Sequence, residues 1–143
     1  MASTHVEKEI QAPLERVWEV AGDLRRWDEW NTLFTGWKGE PPEVPEPGDR
    51  LTAVVTVIGM SNAVTLTVEE YEPHTRVALS GGGMAGAKVT LTLSVEELDD
   101  GTLLSTDVDF VSQMMVGAIG AAVEKAARQE LSASLDRLAA LVE

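Results

Sequence analysis

The sequence predicts an α+β fold: a curved antiparallel sheet of six to seven strands wrapped on a long C-terminal helix, with two short helices after the first strand. Three observations predict it. Between residues 51 and 110 apolar and polar side chains alternate with period two, the mark of antiparallel strands with one face covered and one face wet. From about Ile119 to Val142 the apolar period becomes helical. Two short helical patterns stand between the first strand and the strand run, so they must close one end of the sheet.

Taken in order, THVEKEIQ (residues 4–11) reads as the first strand. Pro13 suits a first helical position, and Leu14, Val17, Trp18 and Ala21 share one helical face that Gly22 ends. Asp23 then caps a second short helix with Leu24, Trp27 and Trp30 on one side. A short strand is expected around Trp37–Glu40, before the proline-rich loop PPEVPEPG at 41–48. The strand run follows. Leu51, Ala53, Val55 and Val57 alternate with polar or smaller residues, as do Val64, Leu66 and Val68, then Val77 and Leu79. The pattern continues through Val89, Leu91, Leu93 and Val95, and through Leu104, Thr106, Val108 and Phe110. Turns are expected at Gly59–Asn62, Glu72–Thr75 and Asp99–Gly101. The last helix carries the stripe Ile119, Val123, Ala127, Leu131, Leu135, Leu138, Val142. Its first half is lined with small residues, among them Gly117, Ala118, Gly120, Ala121 and Ala122. Met60, Met84, Met114 and Met115 fall at strand ends and loops, where flexible side chains suit an adaptable apolar opening.

Composition narrows the chemistry. The 143 residues contain no cysteine, which excludes disulfides and thiolate metal sites, and the net charge is −13. Such a field opposes nucleic acid and anionic membrane surfaces. The start of the chain lacks a signal-peptide pattern. The longest nearly apolar stretch, residues 114–123, is far short of the ~20 residues that span a bilayer. A cytoplasmic location without membrane insertion is expected.

Several motifs mislead. GGGMAG at 81–86 matches G-x-G-x-x-G literally, but a strand follows it where a dinucleotide site needs a helix. His5 and His74 have no metal-ligand spacing, so no metal is expected. Asp107 and Asp109 share the strand face opposite Val108 and Phe110, a wet face unsuited to paired acid–base work. Glu70 is in phase with Val64, Leu66 and Val68, yet at a strand end, where a solvated edge is expected.

The order of elements, together with APLERVWEVAGDLRRWDEWN, resembles the START-like helix-grip superfamily (SRPBCC), which includes Bet v 1-like allergens, lipid-transfer domains, polyketide cyclases/dehydrases and coenzyme Q-binding proteins. The motif of its bacterial members falls on Pro13, Val17, Trp18, Asp23, Trp27 and Trp30. The resemblance covers essentially the whole chain, read as one START-like domain over 1–143. The stretch from Gly59 to Glu96 resembles a small mycobacterial member described as the toxin of a type II toxin–antitoxin pair.

The expectation is therefore a protein that binds or carries a small hydrophobic ligand, lipid- or polyketide-like, in an internal cavity, with no cofactor. The resemblance implies two alternatives. One is a polyketide cyclase/aromatase- or dehydrase-like enzyme, for which Asn31, Glu70 and Tyr71 are the polar candidates. The other is a toxin-like protein acting on a protein partner. Oligomeric state is open. Trp18 is expected in the core, with Trp27 and Trp30 pinning the second helix to the sheet rim. The cavity-lining candidates are Trp27, Trp30, Phe34, Val55, Leu66, Leu91, Phe110, Met115, Ile119 and Val123.

Overall fold

The computed structural model describes residues 2–32, 34–39, 45–57, 60–82, 88–111 and 117–143. Strand β1 (Ala2–Ile10) leads into helix α1 (Leu14–Ala21) and a 3₁₀ helix (Leu24–Glu29). Strands β2 (Phe34–Lys38), β3 (Arg50–Val57), β4 (Met60–Glu72), β5 (Arg76–Gly82), β6 (Lys88–Leu98) and β7 (Gly101–Val111) follow, and helix α2 (Gly117–Val142) comes last. The strands form one antiparallel seven-stranded sheet in the order β1-β7-β6-β5-β4-β3-β2. Strands β1 and β2 are consecutive in sequence yet lie at opposite edges. Helix α1 and the 3₁₀ helix must therefore carry the chain across the sheet's width at one end.

Local chemistry shapes that crossing. Pro13 is the N-cap of α1, one residue before the expected position, with extended backbone (φ −61, ψ 151). Its carbonyl accepts from the N–H groups of Arg16 and Val17 at 3.1 Å. Val17, Trp18, Val20 and Ala21 form the buried face. Gly22 is the C-cap, its N–H on the Trp18 carbonyl at 2.8 Å, and the Trp18 ring lies flush against it, where a Cβ would collide. Asp23 then accepts the Arg25 N–H at 3.0 Å, the expected cap. The helix it starts is 3₁₀, with three residues per turn. That period aligns Leu24, Trp27 and Trp30 on one side, and all three are buried.

The strands depart from the expected bounds in three places. Strand β2 begins at Phe34 and is irregular between Phe34 and Gly36. Met60–Asn62, expected in a turn, are strand residues, with Met60 paired to Val57. A bulge between Val68 and Glu70 shifts the phase of β4, so Glu70 is exposed and Tyr71 turns toward the core. The expected turns at Glu72–Thr75 and Asp99–Gly101 are present, the first closed by Thr75 N–H on the Glu72 carbonyl at 3.0 Å. Most of the GGGMAG motif, with Met84, Met114 and Met115, lies outside the described residues.

Helix α2 is gripped by its second half. Leu131, Ser134, Leu135, Leu138, Ala139 and Val142 are buried, at the spacing of one helical face. Ala127 is half-buried, while Ala118, Ala121 and Ala122 are exposed. The helix follows β1: the Glu124 carbonyl accepts from Thr4 Oγ1 at 3.5 Å, Asp136 pairs with Lys8 at 3.1 Å, and Glu143 accepts the Gln11 N–H at 2.9 Å. Among the described residues no helix is long and apolar enough to cross a membrane.

The tight seating of Trp18 on Gly22 gives a first prediction. Gly22→Ala should lower unfolding stability by about 1–3 kcal/mol, the usual range for overpacking, and shift the tryptophan emission. An unchanged urea midpoint would mean the ring moves aside freely.

Candidate functional site

The junction between α1 and the 3₁₀ helix is held by aromatic side chains from three elements. Trp27 stands at the centre, its ring centroid 5.9 Å from those of Trp30 and Trp37 and 6.2 Å from that of Phe34. Phe34 and Trp37 meet at 4.8 Å. The end of α1 leaves backbone carbonyls without helical partners, and side chains bond there and at the start of the 3₁₀ helix. Trp27 Nε1 donates to the Ala21 carbonyl at 3.1 Å, Tyr71 Oη to Gly22 at 3.1 Å and Trp37 Nε1 to Leu24 at 2.8 Å. Burial raises the Tyr71 phenol above its ordinary pKa, with a hydrogen bond to Trp18 opposing the shift.

Three buried polar atoms of the described residues break this pattern, one of them Arg76 Nε, which is ion-paired with Glu70 at 3.1 Å but makes no hydrogen bond. The Trp30 indole N–H and the Thr106 hydroxyl have no hydrogen-bond partner among the described residues, although each residue is only 2% exposed. Buried polar groups are nearly always paired, and leaving one unmet costs about 1–3 kcal/mol. Thr102, two rungs from Thr106 along β7, shows the ordinary solution: its hydroxyl donates to the Ala12 carbonyl at 2.8 Å.

The concave face of the sheet is sealed at one end and accessible at the other. Near α1, Ile10, Leu104, Leu93, Val77 and Leu79 are fully buried. Farther along the same strands Val89, Leu91, Val108 and Phe110 are only half-buried. In the ladder Leu91 pairs with Val108 and Val89 with Phe110, so the four make one apolar patch. It lies on the side of the first half of α2, the half with small side chains.

Of the ten cavity candidates, Trp27, Trp30, Phe34 and Leu66 lie in one buried cluster. Leu91 and Phe110 belong to the accessible patch. Val55, Ile119 and Val123 lie in β3 and α2, but their side chains, and all of Met115, lie outside the described residues. Thr106 was not among the candidates. Its signal was in plain view, since it alternates in phase with Leu104, Val108 and Phe110.

The polar candidates divide. Asn31 is buried. Glu70 is exposed and paired with Arg76 at 3.1 Å, and the Tyr71 hydroxyl serves Gly22. Asp107 and Asp109 sit on the outer face, hydrogen-bonded at 2.6 Å to His5 and Ser3 respectively. Among the described residues no group of three His, Asp or Glu side chains could hold a metal. A hollow of about 510 Å³ at the start of α1 is lined by Pro13, Leu14 and Leu98 together with the acids Glu15, Glu97, Asp99 and Asp100.

Two predictions follow from these contacts. Trp27→Phe should cost about 1–3 kcal/mol or more in denaturant unfolding, because a smaller aromatic ring replaces the indole and the Ala21 carbonyl loses its donor. His5 should titrate above 6.5, raised chiefly by its hydrogen bond to Asp107 against opposing desolvation. Asp107→Asn should lower it, as read by NMR. The linked stability is fully present below 6.5 and fades as pH rises through the folded-state value. Both side chains are about half exposed, so it stays below ~1 kcal/mol.

Comparison with known proteins agrees with this architecture. Residues 1–143 match the family described as polyketide cyclase / dehydrase and lipid transport. The chain is 34% identical over 135 residues to Toxin Rv0910 of Mycobacterium tuberculosis (strain H37Rv), covering 94% of each protein. It is 28% identical over 141 residues to the uncharacterized protein Rv1546 of the same strain, covering 99% of each. A START superfamily protein from Mycobacterium smegmatis superposes with TM-score 0.79 at 20% identity, covering 99% of this chain and 97% of that one. Protein CV1439 from Chromobacterium violaceum gives TM-score 0.75 at 18% identity, covering 100% and 99%. At these identities the structures establish the fold: START-like, helix-grip.

Proposed function

We propose that this chain, which belongs to the polyketide cyclase / dehydrase and lipid transport family, binds or carries a small hydrophobic ligand between the accessible end of its sheet and the first half of α2. One observation carries the reading. Val89, Leu91, Val108 and Phe110 point to the concave face yet remain half-buried, while their neighbours Leu93 and Leu104 are sealed. An apolar surface inside a fold is stabilised by whatever apolar matter covers it.

Cyclase or dehydrase chemistry needs polar groups placed to move protons. With Glu70 outside and Tyr71 bonded to Gly22, the remaining candidate is Asn31, an amide that does not titrate. The relative named as a toxin favours a second reading, a protein partner. Its test is co-purification from the native host against a chain carrying outer-face substitutions.

For the ligand reading, the protein should enhance the fluorescence of N-phenylnaphthylamine. Leu91→Trp, which fills the patch, should weaken that binding by about tenfold or more with the melting temperature little changed. No enhancement with the unaltered protein would overturn the reading.

A further inference from the structure

We infer that Thr106 sets the polarity of the guest: its hydroxyl bonds an uncharged oxygen, a carbonyl or a hydroxyl, at the leading end of a molecule whose hydrocarbon body covers the half-buried patch. This rests on the apolar-binding reading and names the polar group that the site would read.

The position of Thr106 is the first support. On β7 it alternates in phase with Thr102, Leu104, Val108 and Phe110, so its side chain shares their concave face. Its neighbours on that face change across it. Leu104, one inward step toward α1, and Leu93, its partner on β6, are sealed. Val108, one step the other way, is half-buried, as are Leu91, the partner of Val108, and Val6, the partner of Thr106 on β1. Two residues of strand span about 6.6 Å. A guest lying over Val108 and Leu91 therefore has Thr106 one step beyond its inner end.

The state of the hydroxyl is the second. Thr106 Oγ1 is buried with no hydrogen-bond partner among the described residues. Thr102 and Thr4, on the same face, donate to the carbonyls of Ala12 and Glu124 at 2.8 and 3.5 Å. Arg76 Nε, also unpaired, faces the Glu70 carboxylate at 3.1 Å, and Trp30 belongs to the aromatic cluster around Trp27. Of the three unpaired atoms, Thr106 Oγ1 is the one on a strand that carries the patch. Covered and unpaired, it abuts atoms that cannot bond it. An oxygen that displaces them gains a bond without breaking one in the protein and without stripping water from the hydroxyl.

The guest's oxygen is uncharged, because a carboxylate at this depth would need a cation. Among the described strand residues Lys8 is the cation in phase with this face, and Asp136 holds it at 3.1 Å.

The test measures displacement of N-phenylnaphthylamine from the full chain by methyl hexyl ketone and by octane, and takes the ratio of the two affinities. From the parent to Thr106→Val that ratio should fall about tenfold, through the ketone alone, with the variant melting no lower than the parent. Thr106→Ser, which keeps a hydroxyl, should keep the parent's ratio. The infrared C=O stretch of the ketone bound to the parent should lie below its value in hexane, and Thr106→Val should return it toward that value. A ratio unchanged in Thr106→Val, a stretch in the parent equal to that in hexane, or a lower melting temperature for Thr106→Val, which would mean that the hydroxyl has a partner in the free chain, overturns the inference and leaves apolar binding standing. If the unaltered protein takes up neither the probe nor either displacer, the apolar-binding reading falls too.

Discussion

The structure depends on how the chain satisfies three backbone carbonyls at one corner. Between α1 and the 3₁₀ helix the chain turns at Gly22 and Asp23; the carbonyls of Ala21 and Gly22 lie at the end of α1, and that of Leu24 opens the 3₁₀ helix. Water cannot serve groups buried among tryptophans, so side chains must. Trp27 comes from the 3₁₀ helix itself, Trp37 from the edge strand β2 and Tyr71 from the middle of the sheet. Each presents an apolar ring to the core and one donor to a carbonyl. The same three bonds tie the helical crossing to the sheet, and this closes one end of the concave face.

That closure sets what the other end can be. Helix α2 needs to bury only its second half, where Leu131, Leu135 and Leu138 reach the core. Lys8, Thr4 and Gln11 of the β1 region hold it along its length through polar contacts. In the first half the described alanines Ala118, Ala121 and Ala122 are exposed. A leucine stripe continued to Ile119 would have drawn this half onto β6 and β7. The division of one helix into a gripping half and a spacious half is written in residue size.

Much of this is legible in the sequence, and the failures have physical causes. Period-two alternation located every strand from β3 to β7, and the leucine spacing located the buried half of α2. The bulge at Val68–Glu70 was not visible, because a one-residue phase shift leaves the local pattern apolar–polar on both sides. It leaves Glu70 outward, as its place at a strand end leads one to expect, and turns the phenol of Tyr71 toward Trp18. The 3₁₀ geometry was hidden for a similar reason: Leu24, Trp27 and Trp30 fit a three-residue repeat, which also reads as an α-helical face. The candidates Trp27, Trp30, Phe34 and Leu66 were recognised as inward, but apolar character alone does not separate core from lining. Leu91 and Phe110 stand apart only because the fold leaves their rung half covered.

The unmet groups at Trp30 and Thr106 acquire their meaning from that background. Valine at 106 would fit the alternation of β7 at similar volume without an unpaired hydroxyl, and phenylalanine at 30 would keep an aromatic ring beside Trp27 without an N–H. Neighbouring polar side chains are all engaged: Thr102 on Ala12, Thr32 and Ser134 on Glu130, Trp27 on Ala21. Among the described residues, Thr106 Oγ1 is an unpaired buried polar atom on the strand face where sealed apolar surface gives way to half-buried surface.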